Sequence, residues 1–507
     1  MTGPADRPGD GATIPEGVRV RIAPSPTGYF HVGNARTAIF NWLFARQSKG
    51  AFVVRVEDTD RARYVGGALE DVYASLDWLG LTEDESPRKG GAHGPYRQSE
   101  RLELYRHHVD MLLAAGHAYK CYCSPERLAG VRERRAKAGA KVGYDRQCRN
   151  LSPEERALRE ADGPPCVVRL KAPLTGEIVL HDRLRGDVRF DARQIEDVVL
   201  MKSDGFPTYH LAVVVDDHHM AISHVLRADE WIPSAPIGVL LYEAFAWQAP
   251  EWVHVPLVLN PGGKGKLSKR RGGDGGEQMT QVREFRAAGY LPEALFNFLA
   301  LLGWSYSADE DVFTPEQALE RFRLEDIKLA PAAWNPKKLD WMNGHAIRHL
   351  TAGDLARRLA PFLAEADLTP SPEELAAAAP LVQERITTLR DAVPLLAFLW
   401  REVHPAAADL VPKKLDAAAA AEVLAAAETR LAAVEPWAAD ALEDELRAMA
   451  AALDLKPREA FQPVRVAVTG ARVAPPLFES LALLGRDPSL ARLATARALL
   501  GSETVTA

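Results

Sequence analysis

The chain is short of cysteine, of long apolar runs and of net positive charge. Four cysteines among 507 residues cannot make a disulfide framework, so a reducing, cytoplasmic setting is expected. No apolar stretch approaches the ~18 residues that a membrane span needs. The opening Met1–Gly17 has no apolar h-region and is rich in Gly, Pro and Asp; a loose tail over 1–16 is expected rather than a signal peptide. A formal net charge of −7 lacks the basic footprint usual in nucleic-acid binders. That charge is a sum over several domains, however, and does not exclude a local basic face. A Walker A phosphate loop is also missing. In Gly265-Lys266-Leu267, Leu267 stands where Ser or Thr would meet Mg²⁺, and the upstream glycine spacing is wrong. No repeat of fixed period is present.

What remains is ordinary globular composition, 47% hydrophobic and 26% charged, at a length that suits roughly 3–5 domains. Val18–Ile22 alternates apolar and basic residues and is expected to be a strand. The Pro- and Gly-rich loop Ala23–Gly28 follows. Asn34–Ser48 carries a helical pattern, with Ala38, Ile39, Trp42 and Leu43 on one face and Gly50 as a stop. Phe52–Val56 is a second strand. Strand, helix, strand in this order is a βαβ unit, which implies a parallel sheet with ligands at the carboxyl ends of its strands. Strand patterns return at Leu211–Val215, Ile222–Arg227 and Val253–Leu259. One sheet with an insertion between its halves is expected. Beyond about residue 276 the sequence turns to Ala- and Leu-rich helix, of which Ala417–Ala421 is the plainest stretch.

Two short segments offer phosphate chemistry. His31-Val32-Gly33-Asn34 sits between a strand end and a helix start, where backbone N–H groups and the helix dipole attract anions. The alternative is a histidine that merely caps the loop. Lys266-Leu267-Ser268-Lys269-Arg270 lies in a Gly-rich loop after a strand; it is either a cationic clamp for a transferring phosphoryl group or a solvated basic loop. His218 and His219 follow Asp216-Asp217. As neighbours on an extended strand they would face opposite ways, so a structural role is expected rather than a metal site.

Together and in this order these segments resemble the class I aminoacyl-tRNA synthetases, and within them the bacterial glutamyl-tRNA synthetases. Arg21–Gly28 with His31–Asn34 is similar to the first class I signature and Lys266–Arg270 to the second. Val56–Asp60, Tyr96–Ser99, Lys202–Gly205, Val215–His218 and Leu226–Trp231 also match. The resemblance implies a class I α/β fold: a Rossmann-type parallel catalytic sheet in two halves, 17–106 and 209–275, and an inserted acceptor-end-binding domain at 107–208. A stem-contact linker at 276–345 and an all-α anticodon-binding region at 346–507, in two subdomains, complete it. Glutamate–tRNA ligase activity with ATP and Mg²⁺ follows, in a cytoplasmic monomer with tRNA(Glu), L-glutamate and ATP as partners and no membrane. Catalysis would rest on His31, Lys266 and Lys269, and ATP on His31, Gly33, Asn34, Glu230, Trp231, Lys266, Ser268 and Lys269. Glutamate would be held by Arg21, Ala23, Ser25, Glu57, Tyr209 and Arg227. Val213 stands where certain relatives have an Asn contact, which is not carried over. Open alternatives are an enzyme that also charges tRNA(Gln) with glutamate, and a non-catalytic tRNA-binding relative.

The resemblance also bears on Cys121, Cys123 and Cys148, which match a Zn²⁺ site of some relatives. Many of these place a His where this chain has Asn150, a poor ligand; a related group uses a Tyr at the place of Tyr144. Tetrahedral zinc needs four ligands, so Cys121, Cys123, Tyr144 and Cys148 are the possible set, against three reduced, buried thiols. Cys166 is expected in a core or strand. Arg132, Arg134, Arg135, Lys137 and Lys141 would contact acceptor-end phosphates, or form a solvated helix face. Arg385 matches a position where arginine favours the glutamate anticodon over that of glutamine.

Overall fold

The computed structural model describes residues 17–139, 143–161, 166–268 and 278–503. The tail 1–16, Lys141, Lys269 and Arg270 lie outside the described residues. The chain divides into two compact units, Met1–Glu284 with Leu295–Pro336, and Phe285–Ala294 with Lys337–Ala507.

The first unit starts with the expected βαβ. β1 (Arg19–Ile22) and β2 (Ala51–Val54) pair in parallel, Arg19 opposite Ala51 and Ile22 opposite Val54. Between them runs α1 (Val32–Gln47), which is buried on most of its surface. Gly50 brings the chain out of α1, and a Cβ there would lie 2.0 Å from the Val18 carbonyl oxygen, so only glycine lets the chain turn so close to β1. Helices α2 (Ala68–Trp78) and α3 (Leu102–Ala114) follow.

The stretch after α3 serves two sheets. β3 (Ala118–Cys121), β4 (Val167–Leu170) and β7 (Val199–Met201) form a small antiparallel sheet, with α4 (Pro125–Lys137) and α5 (Pro153–Ala161) between β3 and β4. Between β4 and β7, the hairpin of β5 (Glu177–Asp182) and β6 (Gly186–Asp191) returns to the main sheet, where β5 lies parallel to β9 (Glu251–Val255). β9 pairs in parallel with β8 (His224–Ala228). Ser223, just before β8, donates its N–H to the Arg19 carbonyl (2.9 Å) and accepts from the Arg19 N–H at its hydroxyl (2.7 Å). β8 therefore stands beside β1, and the two halves make one layer, as expected.

Leu211–Val215 is a correction. It belongs to α6 (Tyr209–His219), not to a strand. Leu211 through Asp217 are all buried, and a helix enclosed on every side is apolar all round, so its sequence shows the same continuous run as a buried strand. The expected geometry of His218 and His219 falls with it. Both lie in the last turn of α6, where His218 stacks on Trp247 with ring centroids 3.8 Å apart. Helix α7 (Ala235–Ala244) packs against α6 and β5.

The second unit is helical. Beyond residue 278, the one named strand among the described residues is Ala332–Ala333, in the first unit. Two apolar clusters fill the second unit, one around Leu355, Leu359 and Leu396 and another around Leu424, Leu446 and Leu493. The alanine run begins the helix Ala417–Ala432, where Asp416 caps by accepting from the Ala419 N–H (2.8 Å).

Candidate active site

The carboxyl ends of β1 and β8, the first turns of α1 and α6 and the loop 260–268 surround a cavity of about 1300 Å³. Its lining joins Arg21, Ala23, Ser25, His31, Gly33, Asn34, Glu57, Tyr209, Arg227, Glu230, Trp231, Lys266 and Ser268. Residues far apart in sequence meet here because parallel strands end on the same edge.

At one end lie His31–Asn34 and, from the second phosphate segment, Lys266–Ser268. His31 caps α1: its Nδ1 accepts from the Gly33 N–H at 3.0 Å. The neutral ring therefore carries its proton on Nε2, which remains a donor. Burial, then the charge of Lys266, lowers the His31 pKa and keeps the ring neutral. A Cβ at Gly33 would come within 3.2 Å of His31 Nδ1, so this glycine lets the histidine fold back over the helix start. The first-turn N–H groups are not vacant. Val32 N–H donates to Thr280 O (2.8 Å), and the N–H groups of Asn34 and Ala35 donate to His31 O (2.9 and 3.0 Å). Capping and phosphate donation thus fall to two nitrogens of one ring. Lys266 pairs with Glu230 (Nζ–Oε2 2.6 Å). Asn260 anchors the loop: its side-chain oxygen accepts from Ser268 N–H (3.0 Å). Trp231 stacks on Tyr209, with ring centroids 4.7 Å apart.

At the other end the two arginines differ in their partners. Arg21 donates to both oxygens of Asp217 (2.9 and 3.0 Å). Asp217 also accepts from Arg55 (2.5 Å), which reaches Glu57 at 3.3 Å. Asp216 accepts from Arg101 (2.7 Å), Gln98 (2.8 Å) and Tyr105 (2.9 Å). The acidic pair of α6 is thus a buried counter-charge that orders the arginines behind the cavity. Burial would raise the Asp217 pKa, but Arg21 and Arg55 outweigh it and hold the carboxylate below its usual range. Burial dominates at Glu57 and raises its pKa. Among the described residues, Arg227 has no acidic partner of this kind. It is 8% exposed, donates from Nε to His254 Nε2 (3.0 Å) and from Nη1 to the Tyr209 hydroxyl (3.1 Å), and leaves a buried Nη2 with no acceptor. Arg55 escaped assignment from sequence, and Asp216 and Asp217 were given only an unspecified structural role. An arginine inside the apolar run Phe52–Val56 was the available sign, since a charge in a buried strand needs a partner.

Away from the cavity, the sulfurs of Cys121, Cys123 and Cys148 lie within 4.8 Å of one another. Tyr144 Oη is 3.3 Å from the Cys121 sulfur and 3.7 Å from that of Cys123, and it accepts from the Cys148 N–H (3.0 Å). The Cys148 contact, then burial opposed by the Tyr144 contact, leaves the Cys121 thiol lowered to about 4. Three sulfurs and one oxygen at this spacing fit a tetrahedral Zn²⁺. Cys166 adjoins β4 and packs on this cluster. On α4, Arg132 and Arg134 are exposed, and Lys137 pairs with Glu133 (2.7 Å). In the second unit Arg385 is exposed in a turn after the helix Pro380–Gln383. Its charge, after burial, depresses the pKa of Arg465.

Comparison with known proteins agrees with this geometry. Residues 17–341 match the catalytic domain of the class I tRNA synthetases (E and Q), and 354–497 match an anticodon binding domain. A glutamate–tRNA ligase of Acidothermus cellulolyticus is 50% identical over 494 residues, covering 95% of this chain and 96% of that one. One from Dehalococcoides mccartyi is 47% identical over 489 residues, covering 95% and 98%. The crystal structure of a glutamate tRNA ligase from Elizabethkingia meningosepticum, in complex with its amino acid, superposes with a TM-score of 0.84 at 32% identity, covering 96% of this chain and all (100%) of that one. With a divided parallel sheet, a helical second unit and these relatives, the chain belongs to the glutamate–tRNA ligase family of class I tRNA synthetases.

Proposed function

We propose that the cavity activates L-glutamate with ATP, accompanied by Mg²⁺, and passes the glutamyl group to the 3′ end of tRNA(Glu), in a cytoplasmic monomer. The observation that carries this is Arg227, a buried guanidinium with one nitrogen lacking an acceptor. Such a charge is costly until an anion meets it, and a planar carboxylate matches its fork. Arg21, already neutralised by Asp217, is the weaker of the two anion receptors. Glu57 is the acceptor for the substrate ammonium, and Ala23, Ser25 and Tyr209 form the walls.

A glutamate carboxylate oxygen attacks the α-phosphorus of ATP; the bond to the bridging oxygen breaks, and pyrophosphate leaves. The resulting acyl-adenylate is attacked by a terminal ribose hydroxyl of tRNA, which releases AMP. The protein contributes positioning and charge more than covalent chemistry. His31 donates from Nε2 to a phosphate oxygen. Lys266 leaves Glu230 for the developing charge when ATP enters, and Lys269 is assigned the same charge-stabilising role. Gly33, Asn34, Glu230, Trp231 and Ser268 bound the nucleotide. Cys121, Cys123, Tyr144 and Cys148 would hold a structural Zn²⁺ that braces the inserted segment, which carries the α4 arginines toward the acceptor end. Arg385 would select the glutamate anticodon.

Glutamate-dependent ATP–pyrophosphate exchange tests this. Exchange is expected only with tRNA present, and Arg227→Gln is expected to raise the glutamate KM about tenfold or more. No glutamate-dependent exchange even with tRNA present, or exchange driven equally by aspartate, would overturn it.

A further inference from the structure

Arg21 and Arg227 line one cavity, yet their surroundings treat them oppositely. Asp217 holds Arg21 by two charged hydrogen bonds. Behind Arg227 there is an imidazole instead. The Arg227 Nε–H donates to His254 Nε2 at 3.0 Å, and a ring nitrogen can accept only where it carries no proton. The His254 proton therefore sits on Nδ1, where Asp182 Oδ2 accepts it at 2.7 Å. The main chain grips Asp182 in turn: Leu184 and Arg185 N–H groups donate to Oδ1 (3.0 and 2.9 Å), and His254 N–H donates to Oδ2 (2.9 Å). His254 is fully buried and Asp182 is 3% exposed. Burial outweighs the opposing contact with Asp182, lowers the His254 pKa and favours the neutral ring.

We propose that Asp182 and His254 are positioning residues for amino-acid recognition: the imidazole fixes the plane of the Arg227 guanidinium without cancelling its charge, and Asp182 fixes the imidazole tautomer. The proposal rests on the glutamate function given above. The logic is electrostatic. A carboxylate in the place of His254 would orient Arg227 equally well but would pair with it, as Asp217 pairs with Arg21, and weaken its pull on a substrate carboxylate. An interposed neutral ring supplies the acceptor and sets the negative charge one ring further back, where its attraction is smaller. Nη1 is fixed separately by Tyr209. Among the described residues nothing accepts from the remaining nitrogen of this guanidinium, Nη2, which is held in an orientation prepared before substrate arrives.

The experiment is steady-state aminoacylation by the full-length enzyme, with KM for glutamate, KM for ATP and kcat measured separately, and thermal melts as a check on folding. The variants are His254→Leu, His254→Gln, His254→Glu and Asp182→Asn. His254→Leu and Asp182→Asn are expected to raise the glutamate KM about tenfold or more while the ATP KM stays within about twofold. His254→Gln, whose amide oxygen can accept from Nε, is expected to recover most of the loss. His254→Glu, which accepts as well but adds a charge, is expected not to. An unchanged glutamate KM in His254→Leu, an equal rise in both KM values, or His254→Gln no better than His254→Leu would overturn the proposal. If His254→Leu and Asp182→Asn do not fold, the Gln and Glu variants decide, and equal glutamate KM values in those two refute it. A wild-type enzyme that fails to charge glutamate would refute the function instead; a wild-type enzyme that charges it while His254→Leu keeps the wild-type KM refutes only the positioning role of Asp182 and His254.

Discussion

Removing one buried charge, that of Asp217, should cost the protein both stability and substrate affinity. The carboxylate accepts from Arg21 at 2.9 and 3.0 Å and from Arg55 at 2.5 Å. In Asp217→Asn the shape is kept, but the charge goes and one acceptor oxygen becomes an N–H₂ group facing a guanidinium. Two buried arginines would then share what counter-charge Glu57 and Asp216 supply. Breaking a buried ion pair from one side costs about 3–5 kcal/mol. At ~1.5 °C per kcal/mol for a unit of roughly 300 residues, the melting of the first unit should fall by roughly 4–8 °C. Arg21 loses its anchor at the same time, so the glutamate KM should rise. The effect has a defined pH window. The folded pKa of Asp217 is depressed, so its stabilisation is complete above the ordinary aspartate value of about 3.9 and is lost only as pH falls through the lower folded value. The gap in melting temperature between wild type and variant should therefore be constant from about pH 6 to 8, above that whole window. Circular dichroism melts with parallel aminoacylation kinetics measure both effects. A variant that melts within about 1 °C of wild type and keeps the glutamate KM would refute the role of Asp217 as the buried counter-charge.

Other consequences separate the roles of single residues. His31→Asn keeps an oxygen that can cap α1, where loss of a cap costs about 1 kcal/mol, but lacks the donor at Nε2. It should melt like wild type yet lose about tenfold or more in kcat, and a wild-type kcat would leave His31 as a cap alone. Cys148→Ser should lower the zinc content found by elemental analysis of purified protein, and no zinc in either form would refute the site. Arg385→Ala should raise misacylation of tRNA(Gln) relative to tRNA(Glu), and an unchanged ratio would remove it from anticodon selection.

Local periodicity made part of this protein legible and long-range pairing hid the rest. Val18–Ile22, Asn34–Ser48 and Phe52–Val56 could be read as βαβ because each shows its own period and the loops carry Pro and Gly. Leu211–Val215 could not be assigned correctly, because burial on every side removes the alternation that distinguishes helix from strand. Most cavity residues were recognisable through motifs lying at strand ends. Their states were not. That Arg21 is neutralised while Arg227 is not depends on Asp217 and His254, which lie 196 and 27 residues away along the chain. Asp182, 72 residues from His254, sits in a hairpin that the sequence assigned to the insertion and the fold returns to the main sheet.

The central claim is that this cavity joins glutamate to tRNA at the expense of ATP. Its most direct test is to incubate the purified chain with radiolabelled glutamate, ATP, Mg²⁺ and purified tRNA(Glu) or tRNA(Gln), and to count acid-precipitable label. Charging of tRNA(Glu), with AMP and pyrophosphate formed and tRNA(Gln) left largely uncharged, is the expected result. Failure to charge either tRNA would contradict the account.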